Sequence, residues 1–281
     1  MSENIIISNK KKLEKIIKKI AAGGSENFHV LSDFDRTLTK AFVKGEKSST
    51  VIAQIRNGNY LAPEYSPEAH RLFDIYHPIE IDPTIGKKEK NKKMHEWWRA
   101  HFDLLIKSGL NKRVIEEIVG KRGLRFREGA LDLIDQLHDK NIPLVIMSAV
   151  PGDMIAEYLR QENRLYENVH IIANFFEFDA VGTVVGVREP IIHSFNKHEI
   201  AVQSFPVFEA IRNRKNVLLL GDGVGDAGMI EGFAYENLIR VGFLNEDVEA
   251  NLEKFKESFD VVLLDDAGMD YVNDLVKEIF E

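Results

Sequence analysis

Hydrophobic residues form short unbroken runs in this chain, separated by segments whose apolar positions recur with helical period. One run, Phe28 to Ser32, lies near the amino terminus. Five further runs lie beyond Phe126: PLVIMSA, VHIIANFF, NVLLLGD, LIRVGFL and DVVLLDD. We expect strands at these runs and amphipathic helices between most of them. Because alternating strands and helices favour parallel pairing with helices on both faces, the pattern predicts an α/β fold.

The stretch between the first predicted strand and Phe126 has a different pattern. From about Lys44 to Arg125 it is polar, rich in lysine and mostly of helical period. KNKKMHEWWRAHFDLLIKSGL predicts a long helix that ends at Gly109, and NKRVIEEIVG predicts a short helix capped by Asn111. We therefore predict two domains, an α/β core of residues 1–43 and 126–281 and an inserted helical domain of residues 44–125.

The segment KKKLEKIIKKIAAGG predicts an amphipathic helix near the amino terminus. It places Leu13, Ile16, Ile17 and Ile20 on one face and lysines on the other. Such a helix can lie on an acidic membrane, but more often it packs by its apolar stripe, and we expect the packed form. There is no signal-peptide pattern, and no apolar run approaches the ~18 residues of a membrane span. We expect a cytoplasmic protein without a membrane partner.

Composition narrows the classes of function. The 281 residues carry a net charge of −8, which argues against a nucleic-acid partner but leaves room for a local pocket for a small anion. There is no cysteine, so disulfides, thiolate zinc sites and cysteine nucleophiles are excluded. The expected partner is a small molecule, and the expected state is a monomer or weak oligomer.

Two aspartates, Asp33 and Asp35, directly follow the first predicted strand in HVLSDFDRTLT. In an open parallel sheet, the ligand crevice lies at the carboxyl ends of the strands. If strand geometry extends through Asp35, both carboxylates point toward that crevice; if the chain turns after Asp33, they stay close without sharing a face. Two close anionic oxygen donors suit a hard cation such as Mg²⁺. The alternative is a turn with solvated aspartates.

A second acidic loop follows the apolar strand Val217–Leu220 in VLLLGDGVGDAGM. Its glycines allow a tight turn and close approach to a ligand. Asp222 could complete the cation site, with Asp226 behind it orienting ligands or waters. The alternative is a glycine-rich turn with exposed acids.

The same loop matches the dinucleotide-binding fingerprint, with glycines at Gly223, Gly225 and Gly228. That interpretation is disfavoured because Asp222 and Asp226 would repel a pyrophosphate unless a metal intervened. It also leaves the two aspartates after the first strand unexplained. We therefore prefer a cation site.

Two more strand ends carry candidates for binding a phosphate. PLVIMSAVPGDM ends a strand at Ser148, whose hydroxyl and the following backbone N–H groups could hold phosphate oxygens, although Ser148 could instead cap the next helix. SFNKHE places Lys197 just before another predicted helix. A lysine is usually a solvated surface charge, but here it could offset the charge of several acids and of a phosphoryl group.

These elements together resemble the haloacid dehalogenase superfamily of phosphohydrolases. They are D-x-D-x-T after the first strand, a Ser ending a second strand, a Lys before a helix and G-D-x-x-x-D after a further strand. From about residue 28 to the end, the chain further resembles the cytosolic pyrimidine 5′-nucleotidase family, also called cytosolic 5′-nucleotidase III. The segments that carry this resemblance are DFDRTLT, HPIEIDP, EWW…LLI, MSA…GD, FNKH, LLLGDGVGD and VGFLN.

The resemblance implies a Rossmann-like parallel core with an inserted helical cap that recognises substrate. It implies Mg²⁺-dependent hydrolysis of nucleoside 5′-monophosphates through an aspartyl-phosphate. The family includes a member that prefers 7-methylguanosine monophosphate, so this nucleotide or a pyrimidine nucleotide is the expected substrate. Alternatives are a nucleoside phosphotransferase, a related phosphatase acting on another small phosphomonoester, and a non-catalytic binding protein. The last is disfavoured because every motif acid and the motif lysine are present.

The resemblance also implies catalytic and metal-binding roles. Asp33 would be the nucleophile and a Mg²⁺ ligand. Asp35 would be the general acid and base, and its backbone carbonyl would be a second ligand. Asp222 would be the third protein ligand, with Asp226 supporting the metal site.

Substrate contacts follow from the same resemblance. Ser148, Ala149 and Lys197 would hold the phosphate. Glu80, in HPIEIDP, would contact the nucleotide base, and Trp98 would stack on it. Without the resemblance, a glutamate at this position is more often a surface acid, and a tryptophan is more often a packing residue.

Overall fold

A computed structural model describes residues 4–197 and 204–281 of the chain. The strands are β1 (Ile5–Ile7), β2 (Phe28–Ser32), β3 (Phe42–Val43), β4 (Glu46–Lys47), β5 (Leu144–Pro151), β6 (Val169–Asn174), β7 (Phe176–Phe178), β8 (Val184–Val187), β9 (Asn216–Gly221), β10 (Asn237–Leu244) and β11 (Val261–Leu264). The α-helices are α1 (Lys10–Gly23), α2 (Val51–Asn57), α3 (Tyr65–Ile81), α4 (Lys87–Lys107), α5 (Lys112–Gly120), α6 (Ala130–Asp139), α7 (Gly152–Gln161), α8 (Val207–Ile211), α9 (Val248–Ser258) and α10 (Asp270–Phe280).

The central sheet has seven strands in the order β1-β11-β10-β9-β2-β5-β6. Its neighbours pair in parallel, except that β1 runs antiparallel to β11. Ser32, at the end of β2, pairs with Leu220 of β9 on one side and with Ile146 of β5 on the other. The loops after these three strands therefore emerge side by side, and the predicted α/β fold is confirmed.

The inner strands of the central sheet are mostly apolar because helices cover both faces of the sheet. In β9, Leu218 and Leu220 pack into one buried cluster, whereas Val217 and Leu219 pack into the other. Adjacent side chains of a strand point to opposite faces, so an unbroken apolar run is what a sheet buried on both sides requires. This explains why the strands appear in the sequence as continuous apolar runs and not as alternating apolar and polar residues.

Helix α1 packs by its apolar stripe, as predicted. Leu13, Ile17 and Ile20 are buried, and Asn9 caps the helix by accepting a hydrogen bond from the backbone N–H of Lys12 at 3.0 Å. The stripe is thus engaged with the protein core and is not free to insert into a membrane surface. Within residues 4–197 and 204–281, no helix is both long enough and apolar enough to cross a membrane.

Helices α2 to α5 form a block that contributes no strand to the central sheet. The two helices predicted there are confirmed: α4 runs to Lys107, and Asn111 caps α5 by accepting from Val114 N at 3.0 Å. Gly109 has φ +82°, a left-handed conformation that glycine adopts without steric cost and that turns the chain out of α4.

Two short hairpins and the first strand were not predicted. The run VHIIANFF does not form one strand: β6 ends at Asn174, and Phe176 begins β7, which pairs with β8 as an antiparallel hairpin. This hairpin contacts the helical block, because Lys112 N donates to Gly182 O at 3.0 Å and Val184 N donates to Leu110 O at 2.9 Å. Its apolar residues serve packing against α4 and α5 rather than the central sheet.

His29 in β2 is a buried titratable group outside the site region. Its side chain is 1% exposed, and Nδ1 lies 3.1 Å from the carbonyl oxygen of Arg214. Because a carbonyl only accepts, Nδ1 carries the proton of the neutral ring. Burial lowers the pKa of His29 to about 4; the carbonyl contact opposes this, and the charges of Arg214 and Lys215 add to it.

This burial predicts an acid-sensitive component of stability. The unfolded chain binds a proton at His29 below pH ~6.5 that the folded protein does not bind until about pH 4, so stability is lost as the pH falls through this range. Between about pH 7.5 and pH 4.5, urea unfolding of the wild type should show a loss larger by about 2 to 3 kcal/mol than that of His29→Gln. Equal losses in the two proteins would contradict the prediction. The exposed His70→Gln variant is the control and should behave as the wild type.

Candidate active site

The chain turns directly after β2, which decides how the first two aspartates are placed. Asp33 N still donates to Leu220 O at 3.0 Å, but a turn begins at Asp35, and Arg36 has φ +61°. The two carboxylates therefore do not continue one strand face. Instead, the Asp35 carboxylate accepts from the backbone N–H of Val51, at the start of α2, at 3.2 and 3.3 Å.

Three carboxylates and one lysine meet at the carboxyl ends of β2 and β9. Carboxylate oxygens of Asp33, Asp222 and Asp226 all lie within 4.8 Å of one another. Lys197 donates from Nζ to Asp33 Oδ1 at 2.5 Å and to Asp226 Oδ1 at 2.9 Å. This group of acids could hold a metal ion. Asp226 lies in it directly, whereas the sequence suggested a place behind it.

The electrostatics of the cluster follow from its burial. Burial raises the pKa of Asp33 to about 6; Lys197 opposes the rise and the charge of Asp226 adds to it. The pKa of Asp222 is raised well above its ordinary value by burial and by the charges of Asp226 and Asp33. Burial by itself lowers the pKa of Lys197, but the two acids it contacts outweigh burial and raise it. Lys197 is therefore a fixed cation in a region where acids at close range repel one another.

Asp35 lies beside this cluster without joining it. Burial and the charge of Asp33 raise the pKa of Asp35 to about 7, while the hydrogen bond from Val51 N lowers it. A carboxyl group with a pKa near neutrality can both give and take a proton. This property distinguishes it from an ordinary solvated aspartate, which is ionised at that pH.

The loop after β9 depends on one close approach. A Cβ placed on Gly221 would lie 2.4 Å from the Cβ of Asp226, so no larger residue fits at this position. Asp226 Oδ2 in turn accepts from Gly223 N at 3.0 Å, and a 3₁₀ helix covers Val224–Gly232. The dinucleotide interpretation needs free N–H groups at the start of an α-helix. Here the N–H of Gly223 is bonded to Asp226, and the helix that follows is a 3₁₀ helix, so that interpretation is wrong. Asp226 is buried, which also excludes a merely solvated turn at that residue.

Ser148 does not cap the following helix. Strand β5 continues to Pro151, which occupies the N-cap position of α7 without a side-chain hydrogen bond. Ser148 Oγ accepts from Val150 N at 3.5 Å and is buried within β5, the strand that pairs with β2. The capping alternative is therefore wrong.

Asn174 is a polar residue that the sequence analysis missed. It is fully buried at the end of β6 and donates from Nδ2 to Ala149 O at 2.5 Å and to Ile192 O at 2.8 Å. Its Oδ1 accepts from Ile192 N at 2.8 Å. Asn174 thereby ties the Ser148–Ala149 segment to the segment that leads into Lys197. A lone polar residue closing an apolar strand was the available signal.

Glu80 reaches from the helical block to the segment before Lys197. Its Oε1 accepts from Ser194 Oγ at 2.8 Å, its Oε2 lies 3.3 Å from His77 Nδ1, and its backbone oxygen accepts from Lys90 Nζ at 2.8 Å. Glu80 is partly buried and has partners on α3, on α4 and in the segment before Lys197. Glu80 is therefore not the ordinary surface acid that its residue type alone would suggest.

The helix predicted directly after Lys197 would start within residues 198–203, which lie outside the described residues.

The two adjacent tryptophans of α4 have different surroundings. Trp97 stacks on Tyr76 with ring centres 5.9 Å apart and an interplanar angle of 10°. Trp98 is partly buried, with its ring centre 5.4 Å from that of Phe102. One face of Trp97 is therefore already used in packing, whereas the assignment of Trp98 to base stacking stays a prediction.

Solved structures of distant sequence share this fold. A HAD family hydrolase from Salmonella enterica subsp. enterica serovar Typhi superposes with a TM-score of 0.55 at 15% identity, covering 89% of this chain and 71% of its own. A likeness at that identity concerns the fold. It shows that the chain has a fold of the haloacid dehalogenase type, with three acids and a lysine gathered at its strand ends.

Three closer similarities identify the family. The sequence model of Pyrimidine 5′-nucleotidase (UMPH-1) matches residues 36–280. The 7-methylguanosine phosphate-specific 5′-nucleotidase of Rattus norvegicus is 33% identical over 280 residues, 99% of this chain and 93% of the relative. The crystal structure of cytosolic 5′-nucleotidase IIIB bound to cytidine has a TM-score of 0.92 at 30% identity, covering 99% of this chain and 94% of that one. The chain belongs to the pyrimidine 5′-nucleotidase family and is a 5′-nucleotidase, a hydrolase of nucleoside monophosphates.

Proposed function

We propose that this 5′-nucleotidase is Mg²⁺-dependent, works through an aspartyl-phosphate and acts on 7-methylguanosine monophosphate or a pyrimidine nucleoside 5′-monophosphate. The observation that carries the proposal is the cluster of Asp33, Asp222 and Asp226 at the carboxyl edge of the sheet, with Lys197 bonded to Asp33 and Asp226. The substrate classes follow the relatives, of which one is named for 7-methylguanosine phosphate and one holds cytidine.

The donor set fits a hard cation. Asp33 and Asp222 would supply carboxylate oxygens, Asp35 its backbone carbonyl, and Asp226 would support the site. Carboxylate and carbonyl oxygens are the ligands that Mg²⁺ prefers, and sulfur and imidazole are lacking among the proposed ligands. When bound, Mg²⁺ supplies Lewis-acid neutralisation of the phosphoryl charge.

Asp33 and Asp35 divide the covalent chemistry. A carboxylate oxygen of Asp33 attacks phosphorus, the bond from phosphorus to the 5′ oxygen breaks, and Asp35 gives that oxygen its proton. Water then attacks the phosphorus of the aspartyl-phosphate, and Asp35 takes the proton from the water. The bond from phosphorus to the Asp33 oxygen breaks, which releases phosphate and restores the carboxylate of Asp33. The raised pKa of Asp35 supports a residue that holds a proton at one step and lacks it at the next.

The phosphate would lie between β2, β5 and Lys197. The Ser148 hydroxyl and the backbone N–H of Ala149 would donate to its oxygens, and Lys197 would balance its charge. Lys197 is already oriented by Asp33 and Asp226, so little reorganisation is needed when the substrate arrives.

Residues 44–125 would form the cap over this site and read the base. Glu80 would hydrogen-bond the base, and Trp98 would stack on it. Two observations support a cap that responds to the core: Val51 N at the start of α2 donates to Asp35, and Glu80 accepts from Ser194. A cap of this kind excludes bulk water and commits the substrate.

The test is phosphate release from a panel of phosphomonoesters with Mg²⁺. The panel contains CMP, UMP, AMP, GMP, 7-methylguanosine monophosphate, phosphoserine and p-nitrophenyl phosphate. We expect the highest kcat/KM for 7-methylguanosine monophosphate or a pyrimidine nucleotide, with loss of activity in EDTA and recovery on adding Mg²⁺.

Four outcomes would separate the alternatives. A preference for phosphoserine would overturn the substrate proposal, and activity that persists in EDTA would overturn the metal. Added nucleoside that becomes phosphorylated would reveal phosphotransfer from the same intermediate. A chain inactive toward every compound in the panel would support a binding protein.

Glu80→Gln should weaken substrate binding more than catalysis. The amide can still accept from Ser194, but it cannot present an anionic pair of acceptors to the base. We expect KM for the preferred nucleotide to rise about 10-fold with kcat within about 3-fold, because a charge-assisted hydrogen bond is worth ~1.5 kcal/mol or more.

The control for that variant is Glu68→Gln on the same helix, where the glutamate pairs with Arg71 at the surface. It should leave both constants unchanged. A Glu80→Gln enzyme with wild-type KM would contradict the role in base recognition.

We further propose a cytoplasmic location, in keeping with the name of the cytosolic relative, and a monomer or weak oligomer.

A further inference from the structure

Arg127 is the largest fully buried side chain of the described residues and lies at the end of the segment that precedes α6. It is 1% exposed. Nε donates to Thr37 O at 2.8 Å; Nη1 donates to Ala267 O at 2.5 Å and meets Asp266 Oδ1 at 3.0 Å. A guanidinium has five N–H donors, and the remaining two face acceptors from the same loops.

Those two donors, both on Nη2, hold the turn that carries the catalytic acids, one directly and the other through Asn245. Nη2 donates to the carbonyl oxygen of Arg36 and, at 3.0 Å, to Asn245 Oδ1. Asn245 Nδ2 also donates to the Arg36 oxygen, at 3.1 Å. Arg36 directly follows Asp35 and has φ +61°, a backbone conformation that non-glycine residues adopt only when their surroundings impose it.

The partners of Arg127 are themselves fixed. Asp266 accepts from Ala41 N at 2.9 Å and from Phe42 N at 3.0 Å, at the far end of the same turn. Arg127 N donates to Leu38 O at 2.9 Å. The guanidinium thus connects the loop after β2 with the loops after β10 and β11. Each of its partners is either a main-chain oxygen or a side chain that is itself bonded to the main chain of the turn.

Packing alone does not account for a charge at this position. Burial lowers the pKa of Arg127, and the charges of Asp266 and Asp222 raise it, so the cation is kept at the cost of desolvation. The core beside it is apolar, with the guanidinium 4.3 Å from the ring centre of Phe243. An apolar side chain of this volume would fill the space, but it could not satisfy acceptors from the three loops that meet here.

We propose that Arg127 is a positioning residue for hydrolysis: its guanidinium holds the Arg36 and Thr37 carbonyls and thereby sets the turn that carries Asp33 and Asp35. The inference rests on the proposed function of those two acids. Arg127 does not touch the substrate. It acts by fixing where the nucleophile and the proton carrier stand relative to each other.

The first variant is Arg127→Lys, which keeps the charge but loses the planar set of donors. We expect kcat to fall about 100-fold with KM within about 3-fold, because misplacing reacting groups by ~1 Å costs about that much. The assay uses the preferred nucleotide and also p-nitrophenyl phosphate, and kcat is expressed per folded molecule. A parallel loss on both substrates supports the proposal. If the wild type cleaves only p-nitrophenyl phosphate, the substrate proposal fails, and the Arg127 comparison is made on that compound.

The matched control is Arg214→Lys at the opposite end of the sheet. Arg214 also holds carbonyls, those of Ser25 at 2.8 Å and Phe28 at 3.0 Å, but none of them belongs to the site. We expect a lower Tm for this variant and an unchanged kcat. If Arg127→Lys likewise lowers only Tm, the positioning role is overturned.

Two further measurements cover a variant that folds poorly. Asn245→Ala removes the second donor to the Arg36 oxygen while leaving Arg127 in place, and should lower kcat about 10-fold. Arg127→Ala should regain at least about 10-fold of its lost kcat when guanidinium chloride is added at millimolar concentration, whereas sodium chloride should have no effect. Wild-type kcat in Asn245→Ala together with no rescue of Arg127→Ala would overturn the proposal.

Discussion

Asp33→Asn should abolish hydrolysis while the protein stays folded. The amide is a far weaker nucleophile than a carboxylate, so kcat should fall by about 10⁴-fold or more. The substitution also turns an acceptor for Lys197 Nζ, now at 2.5 Å, into a group that can present N–H donors to an ammonium. Phosphate release at saturating nucleotide measures the loss, and circular dichroism with thermal unfolding confirms the fold.

The matched control for this variant is Asp135→Asn. Asp135 lies on α6 and accepts hydrogen bonds from Arg164 and Tyr166. Neither partner belongs to the site described above. It should lose some stability and keep full activity. An Asp33→Asn protein that still turns over at the wild-type rate would show that another residue attacks phosphorus, even if the metal site is as described.

Lys197→Met should cause the second largest loss. Methionine fills a similar volume, but it removes the cation that contacts Asp33 and Asp226 and that would face the phosphate. Deleting one preorganised group of this kind typically costs about 10²- to 10³-fold in kcat. We expect a fall of that size, with a rise in KM because phosphate binding is weakened as well.

The comparison for that loss is Lys12→Met. Lys12 also forms a short ion pair, 2.7 Å to Asp260, but its side chain is largely exposed. Exposed pairs contribute about 1 kcal/mol at most, so activity and stability should both be close to wild type. Lys197→Met with unchanged kcat and KM would mean that Lys197 serves only to neutralise the neighbouring acids.

The residues of the acid cluster could be predicted because their surroundings are local in sequence. Asp33 and Asp222 each follow an unbroken apolar strand, and parallel pairing of β2 with β9 brings the two strand ends together. Strand length, apolar run and the position of the acid are all visible in the chain. The spatial meeting then follows from the rule that parallel strands end at one edge.

What escaped prediction depends on side chains that meet from distant segments. Arg127 contacts oxygens near residues 36, 245 and 266, and no periodicity marks it. Asn174 sits in a run that looks like one strand until Asn174 ends it. The exact course of the turn through Asp35 was left open for the same reason, since it is imposed by partners far along the chain.

The helical block shows both sides of this limit. Its long and short helices could be predicted from the helical period and from the caps at Gly109 and Asn111. These signals lie within a few residues of the helix ends that they mark. The β7–β8 hairpin packs onto that block from a later segment, Phe176 to Val187, and its strands are too short to show a pattern of alternation. Which residues touch a base is a question of still finer geometry, and Glu80 and Trp98 are assigned by resemblance.

The unpredicted strand β1 has a consequence for how molecules behave in concentrated solution. β11 consists of four buried apolar residues, and without a neighbour its outer edge would present unpaired backbone groups. Ile5, Ile6 and Ile7 pair with Val261, Val262 and Leu263 and cover that edge. β11 is therefore an inner strand, and the border that a second molecule would meet on this side is the three-residue β1. A border strand this short offers few backbone groups for edge-to-edge pairing, which limits aggregation through this side of the sheet.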